Sequence, residues 1–416
     1  MVKFERFTLA NGLRVLVHED HATPMAVLNI LYDVGARDEH PEKTGFAHLF
    51  EHLMFGGSVN IPNYDGPLQR VGGTNNAFTS NDITNYYVNL PAVNLETACW
   101  LESDRMLGLA FSEKSLDVQR SVVVEEFKQR YLNKPYGDVW LKLRPLAYKE
   151  HPYRWATIGK ELAHIEDAKM EDVRAFFAKH YHPGNAIMVM AGSVTVERAK
   201  ELAEKWFSSI PAQATFPRSL PQEPVQTAAR RDTVVAQVPQ SSLYIAFHGV
   251  DRLHSDYHAM DLITDLLSRG QSSRLYQRLV KDRELFSEVN AYITGSIDAS
   301  LVVLEGKPNE GTSMEEAEAA LWAELEVLKN ELAFSAELEK VKNKTESLMI
   351  FGQMSILDKA MELAYFELLG DADLLNQEQD KYLQVTDHDI QRVSQQIFRK
   401  ENSNTLIYLA ATHDHQ

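Results

Sequence analysis

The 416-residue sequence contains a single cysteine, Cys99, and no long apolar run. One cysteine excludes an intrachain disulfide and a cysteine-rich metal site. Without a stretch of about eighteen apolar residues, we expect no membrane span. Residues 1–7 lack the apolar core of a signal peptide, which favours a cytoplasmic protein. A periplasmic protein from which a signal peptide had been removed would look the same.

Basic side chains are scarce relative to acidic ones. The sequence has 42 Lys plus Arg against 59 Asp plus Glu, which gives a formal net charge of −17. An acidic chain repels the backbone of nucleic acids, so we expect no nucleic-acid partner. The sequence also lacks a G-x-x-x-x-G-K-[ST] loop, a G-x-S-x-G elbow and a C-x-x-C pair, so the chemistries that depend on these motifs have no support.

The length exceeds what one hydrophobic core usually serves, so at least two domains are expected. A boundary is marked by four prolines among polar residues, namely Pro211, Pro217, Pro221 and Pro224. Such a segment is typical of a linker. We therefore predict one domain at residues 1–212, a linker at 213–232 and a second domain at 233–416.

The two halves look like diverged copies of one unit. In each half the pattern predicts two strands, a helix, a glycine turn, a second helix, two further strands and another helix. Because several of these strands are joined by short turns, antiparallel pairing is favoured. The predicted fold class is α+β, with two homologous domains that each consist of an antiparallel sheet covered by helices.

The first half carries a candidate metal motif, His48-Leu49-Phe50-Glu51-His52, in a helical pattern. Residues four apart on a helix lie on one face, so both imidazoles can bind one zinc ion. Glu51 shares that side of the helix and can take a proton from a metal-bound water, whose pKa zinc lowers to about 7. A third protein ligand would leave one position open for that water. A helix with two partly exposed histidines and a solvated glutamate is the structural alternative.

The second half does not repeat the motif. When Gly57 is placed opposite Gly270, the motif positions are occupied by Asp261, Thr264 and Asp265. The second domain is therefore expected to bind no zinc.

The surroundings of the motif resemble the inverted zincins, the peptidase family of pitrilysin, insulysin and the mitochondrial processing peptidase. The resemblance includes GFAHLFEHLMFGGS at residues 45–58, GGTNNAFTS at 72–80 and TNYY at 84–87. It continues through residues 151–153, 158–159, 181–186 and 191–192, and it reappears in the second half at 272–276. Nearly the whole chain is covered, and the sequence is similar to the zinc-bearing subunit of bacterial two-subunit members. The resemblance implies a zinc peptidase with one zinc ion per chain.

The third zinc ligand of that family is a glutamate on a later helix. The resemblance aligns it with Glu126, in the run RSVVVEEF at residues 120–127. Glu125 is the alternative, because a slip of one residue is hard to exclude from one sequence. A helix turns by about 100° per residue, so only one of the two carboxylates can face the zinc ion.

Three further residues match substrate-binding positions of the family. Asn76 and Ala77 match an edge strand that pairs with an extended substrate in relatives, which is a case of β-augmentation. Asn76 could instead be only a turn residue. Phe55 resembles an aromatic wall near the scissile bond, with a core phenylalanine as the alternative.

Family members also use an arginine and a tyrosine, seven residues apart, in a non-catalytic half. Val280 and Ser287 occupy those two positions here, and neither can stabilise an oxyanion in the required way. The resemblance therefore implies a partner, namely a related subunit that lacks the zinc motif and carries the Arg–Tyr pair. Local substitution by Arg278 or Arg283 is the alternative.

The predicted function is endoproteolysis of peptides or unfolded segments. Zinc is held by His48, His52 and Glu126, and Glu51 is the general base. Two other hypotheses stay open. The chain could be a peptide-binding or assembly subunit that keeps zinc but has little activity alone, or a purely structural protein in which Glu51→Gln would alter nothing.

Overall fold

The structure, a computed structural model, describes residues 1–214, 217–333 and 335–411. Its strands are, in chain order, β1 Glu5–Thr8, β2 Arg14–Glu19, β3 Met25–Tyr32, β4 Thr74–Thr79, β5 Thr84–Pro91, β6 Ala186–Gly192, β7 Arg230–Ala236, β8 Ser242–His248, β9 Phe286–Ile293, β10 Leu301–Pro308 and β11 Ser403–Ala410. Its helices are α1 Phe46–Leu53, α2 Asp65–Arg70, α3 Leu95–Leu107, α4 Glu113–Phe127, α5 Val139–Ala147, α6 Leu162–Glu166, α7 Met170–His180, α8 Val196–Phe207, α9 Tyr257–Ser268, α10 Met314–Asn330, α11 Ser335–Gly352, α12 Ile356–Leu368, α13 Glu378–Gln384 and α14 Asp387–Ile397. In the described part of the chain, no helix combines the length and the apolar character that a membrane span requires.

The chain packs into two compact units, each built from three segments. Unit 1 comprises Met1–Lys128, Trp155–Pro221 and Met349–Gln377. Unit 2 comprises Gln129–Arg154, Gln222–Leu348 and Glu378–Gln416. The domain boundaries expected from the sequence are contiguous ranges and stay a prediction. The packing differs from them because residues 129–154 pack in unit 2 and residues 349–377 pack in unit 1.

Unit 1 is built on a six-stranded sheet in the order β1-β2-β6-β3-β5-β4. β2 and β6 pair in parallel, and the other neighbours are antiparallel. All seven residues of β6 are buried, because helices of the unit cover the middle of the sheet. Helix α12 packs against β3 and β6, although it lies late in the sequence. Strand β4 is the last strand and leaves one backbone edge unpaired within this sheet.

Unit 2 repeats the same arrangement in a five-stranded sheet, ordered β7-β11-β8-β10-β9. β7 and β11 pair in parallel, as β2 and β6 do, and the remaining pairs are antiparallel. Each strand therefore has a counterpart in unit 1, which confirms that the halves are copies. The predicted fold class is confirmed with one correction, since neither sheet is wholly antiparallel. The parallel neighbours are β2 with β6 and β7 with β11, and in each copy a long connection that contains the other strands and several helices separates the two.

The predicted linker is ordered where the structure describes it. Thr215 and Phe216 lie outside the described residues. In unit 1, Arg218 donates hydrogen bonds to Asp38 Oδ1 at 2.6 Å and Asp33 Oδ1 at 2.8 Å. In unit 2, the Glu223 carboxylate accepts hydrogen bonds from the backbone amides of residues 149–151, at 2.8–3.0 Å. Its proline-rich composition therefore does not prevent specific polar contacts.

Candidate metal centre

At the start of helix α1, the backbone of the chain lies very close to the backbone of Ile158. The N-cap of this helix, Gly45, has φ +88°, and a Cβ there would lie 2.6 Å from the carbonyl oxygen of Ile158. The buried Glu39 carboxylate accepts hydrogen bonds from the amides of Gly45 at 2.9 Å and Ala47 at 2.8 Å. It thereby satisfies two amides that the first turn of a helix leaves open. Burial raises the pKa of Glu39 well above its usual value, against the effect of these two donors.

His48, His52 and Glu126 come together in the structure. Their ligand atoms all lie within 4.8 Å of one another. Glu126 Oε2 is 3.7 Å from His48 Nε2 and 3.4 Å from His52 Nε2. The two imidazole rings stand almost perpendicular, with centroids 4.9 Å apart. Within the described residues, no other group of three histidines, cysteines or carboxylates converges in this way.

Glu126, and not Glu125, points toward the two imidazoles. Both lie near the end of α4, one residue apart. The Glu125 side chain is 61% exposed and pairs with Lys128 at 2.9 Å. The rotation of about 100° between neighbouring helix positions accounts for this division.

Glu51 lies on α1 between the two histidines and is partly buried. Its Oε2 accepts a hydrogen bond from the Thr79 hydroxyl at 2.6 Å. Thr79 is the last residue of β4, so the side chain of Glu51 is linked to the edge strand of the sheet. Neither Thr79 nor Glu39 was identified from the sequence, since nothing in the spacing of either residue signals its contact with α1.

Asn76 and Ala77 lie on β4, as the resemblance predicted. β4 pairs with β5 on one side only. The Ala77 amide donates to the side-chain oxygen of Asn76 at 2.9 Å. In an antiparallel ladder alternate residues turn their amides away from the partner strand, so this bond places the Ala77 N–H on the open edge.

Phe55 follows α1 and is only partly buried. Its ring packs edge-on against Tyr64, at 5.7 Å between centroids, and against Tyr86 at 6.1 Å. The guanidinium of Arg105 lies over these rings, 4.5–5.2 Å from their centroids. Arg105 is 1% exposed and donates two hydrogen bonds to Glu102, at 2.8 and 2.6 Å. The Phe55 ring therefore packs on a buried cluster while the residue stays partly exposed, and its role as a wall near the scissile bond stays a prediction.

The positions opposite the motif in unit 2 carry structural contacts. Asp265 pairs with Arg269 at 2.7 Å, and Asp261 accepts the Tyr382 hydroxyl at 2.6 Å. Val280 packs beside the core of unit 2, and the exposed Ser287 donates to the Lys307 carbonyl at 3.2 Å. These side chains offer neither an imidazole pair nor an Arg–Tyr pair.

Comparison with known proteins identifies the family. The family model described as Insulinase (Peptidase family M16) matches residues 14–158, and the one described as Peptidase M16 inactive domain matches residues 167–345. Zinc protease PqqE of Helicobacter pylori is 31% identical over 410 residues, which cover 97% of this chain and 92% of that protein. The chain belongs to peptidase family M16.

Other similarities agree with membership of family M16. The beta subunit of the mitochondrial-processing peptidase of Saccharomyces cerevisiae is 26% identical over 255 residues, which cover 60% of this chain and 54% of that subunit. The crystal structure of a protease from Helicobacter pylori superposes with a TM-score of 0.92 at 30% identity, covering 98% of this chain and 100% of that one. The family and the fold class predicted from the sequence are confirmed by these matches.

Proposed function

We propose that this chain is a zinc-dependent endopeptidase that cleaves peptides or unfolded segments. The observation that carries the proposal is the convergence of His48, His52 and Glu126 from two helices. Glu51 lies on the same helix as the two histidines. The names of its M16 relatives, which include zinc proteases, support the same conclusion.

The three side chains fit a catalytic zinc ion. Two imidazole nitrogens and one carboxylate oxygen form a donor set that catalytic zinc sites use, with a fourth position open. Two ligands about 2.05 Å from a tetrahedral ion lie roughly 3.3 Å apart. The observed Nε2–Oε2 distances of 3.4 and 3.7 Å are close to that separation. When bound, zinc would polarise the scissile carbonyl and lower the pKa of a water molecule.

Glu51 is the proposed general base. Its carboxylate takes the proton of the attacking water and returns it to the leaving amine, which a single side chain can do in two successive transfers. It lies on the same helix as the two proposed ligands, three residues after His48 and one before His52, and residues three apart share one side of a helix. The Glu39 carboxylate fixes the start of the same helix and so holds all three motif residues in place.

An extended peptide would pair with the open edge of β4. The Ala77 N–H faces that edge and is occupied by the Asn76 side chain, which a substrate carbonyl could replace. Main-chain pairing of this kind gives affinity without a strict sequence preference. The accessible part of the Phe55 ring would contact a substrate side chain near the bond that is cleaved.

We further propose that activity needs a related partner subunit. Val280 and Ser287 occupy the positions where the family has arginine and tyrosine, so the chain lacks that source of oxyanion stabilisation. A paralogue without the zinc motif would supply the pair. The yeast relative is itself named as a subunit of a processing peptidase, which supports an arrangement of two different chains.

The second candidate function is a peptide-binding or assembly subunit that keeps zinc. The same two residues, Val280 and Ser287, favour it. For either function we propose a cytoplasmic location, with the periplasm as the alternative, and fractionation of host cells distinguishes the two.

A cleavage assay separates these functions. Hydrolysis of an unfolded reporter peptide is measured with the chain alone and with a candidate partner from its host, a related chain that lacks the zinc motif, for the wild type, Glu51→Gln and the exposed control Glu125→Gln. We expect the wild type and the control to cleave in the presence of the partner, and Glu51→Gln to be about 10²–10⁴-fold slower. Wild-type activity in Glu51→Gln would overturn the peptidase proposal. Peptide binding without cleavage under both conditions would favour the second function.

A further inference from the structure

The carboxylate of Glu51 is held by a side chain from outside the metal motif. Thr79 Oγ1 donates to Glu51 Oε2 at 2.6 Å, within the range of about 2.5–2.7 Å that charge-assisted O–H···O⁻ bonds show. A glutamate has several rotatable bonds, so a partly buried carboxylate such as that of Glu51 can still adopt several orientations. A short bond to one of its oxygens restricts these orientations.

The backbone that carries Thr79 is firmly anchored. Thr79 is followed by a tight turn in which Ser80 N donates to the Ile83 carbonyl at 2.8 Å. The Ser80 hydroxyl accepts the amides of Asp82 and Ile83, both at 3.0 Å. The turn is therefore closed by hydrogen bonds among its own residues.

A second segment of unit 1, residues 35–37, packs against this turn and is hydrogen-bonded to it. The amides of Ala36 and Arg37 donate to the carbonyls of Ser80 and Asn81, at 3.2 and 2.8 Å. Gly35 lies so close that a Cβ there would be 2.5 Å from the backbone of Asn81. Because the hairpin is anchored in this way, the Thr79 hydroxyl has a fixed position, and its hydrogen bond restricts the flexible carboxylate of Glu51.

The same strand connects Thr79 to the proposed substrate edge. Ala77 lies two residues before Thr79 on β4, so the two side chains lie on the same face of the strand. A peptide that pairs with the Ala77 edge would be placed by the same rigid element that orients the base. The distance between the base and a bound peptide would then be set by one strand.

We infer that Thr79 is a positioning residue for the general base, which it orients through its hydroxyl relative to the peptide-pairing strand β4. The inference rests on the proposed function, because it assigns Thr79 a role through Glu51. Valine has the shape of threonine without the hydroxyl, and serine keeps the hydroxyl without the methyl group, so the two substitutions separate the bond from the packing.

The kinetic test uses the zinc-loaded chain with its partner subunit, as wild type, Thr79→Val, Thr79→Ser and the control Thr233→Val, an exposed strand threonine of unit 2. We expect Thr79→Val to lower kcat by roughly 10–100-fold with KM within about threefold, because misplacing a reacting group acts on the chemical step. Zinc content stays at the wild-type value, Thr79→Ser recovers most of kcat, and the control matches the wild type. An unchanged kcat in Thr79→Val, a change confined to KM, or failure of serine to rescue would overturn the inference.

A structural readout separates this inference from the proposed function. Crystal structures of the wild type and Thr79→Val are expected to show one ordered orientation of the Glu51 carboxylate in the wild type and a displaced or multiple one in the variant. An identical, ordered carboxylate in both would overturn the role of Thr79 whether or not the chain cleaves peptides. If Glu51→Gln abolishes cleavage while Thr79→Val is fully active, the peptidase proposal stands and the role of Thr79 does not.

Discussion

Replacing Arg105 with methionine would leave a buried carboxylate without its counter-ion. Arg105 and Glu102 are each 1% exposed, and two hydrogen bonds of 2.8 and 2.6 Å join them. Removing one partner of such a pair costs about 3–5 kcal/mol, because the remaining charge stays desolvated. We expect Arg105→Met to lower the free energy of unfolding by that amount. Glu102→Gln, which instead leaves the buried guanidinium without a carboxylate, should lower the free energy of unfolding by about as much.

The double variant tests the reasoning. If the cost comes from an uncompensated charge, Arg105→Met combined with Glu102→Gln should lose at least about 2 kcal/mol less than the sum of the single losses. Urea titrations followed by tryptophan fluorescence give the required free energies. Arg198→Met is the control, since its pair with Glu96 is 43% and 34% exposed and should contribute about 1 kcal/mol or less. Additivity of the two buried substitutions within about 0.5 kcal/mol would refute the account.

Two further predictions concern a backbone contact and a titrating group. Gly45→Ala should lower both thermal stability and zinc affinity, because the new Cβ would lie 2.6 Å from the Ile158 carbonyl oxygen at the start of α1. Gly311→Ala is the control, since Gly311 has the same φ of +88° but a Cβ there would have no atom within 4 Å. Calorimetry and zinc titration measure the difference, and equal effects of the two substitutions would contradict it. Burial works to raise the pKa of Glu378, but hydrogen bonds and charges of His258 and Arg252 outweigh it and lower the pKa from 4.5 to about 2. A lowered pKa gives stability that is present above pH 4.5 and lost as the pH falls toward 2, so the wild type should lose roughly 3 kcal/mol more over that window than Glu378→Gln does. Identical acid-denaturation profiles of the two proteins would contradict this assignment.

The sequence predicts those parts of the fold that depend on local patterns. The alternation and apolar runs predict two strands, a helical segment and two further strands in each half, and this order is observed in β2 to β5 and in β7 to β10. The parallel pairing of β2 with β6 and of β7 with β11 was missed, because it depends on where the chain returns after a long connection. The packing of α12 on β3 and β6 was missed for the same reason, since no local pattern indicates which sheet a late helix will cover.

For the candidate site too, the sequence predicts some residues and misses others. The spacing of His48 and His52 is a local signal, and the resemblance adds Glu126, which the structure places beside them. Glu39 and Thr79 reach α1 through contacts that only the folded chain creates. A carboxylate several residues before a helix and a threonine at the end of a strand have many ordinary roles, so neither could be selected from sequence alone.

Metal content of Glu126→Gln and Glu125→Gln tests the central claim most directly. Elemental analysis of the purified wild type, after dialysis against a weak chelator, should find one zinc ion per chain. Glu125→Gln should match it, because that side chain is exposed and pairs with Lys128. Glu126→Gln should retain far less zinc, since an amide replaces the carboxylate that lies 3.4 Å from His52 Nε2. A wild type without stoichiometric metal, or equal zinc in all three proteins, would contradict the account.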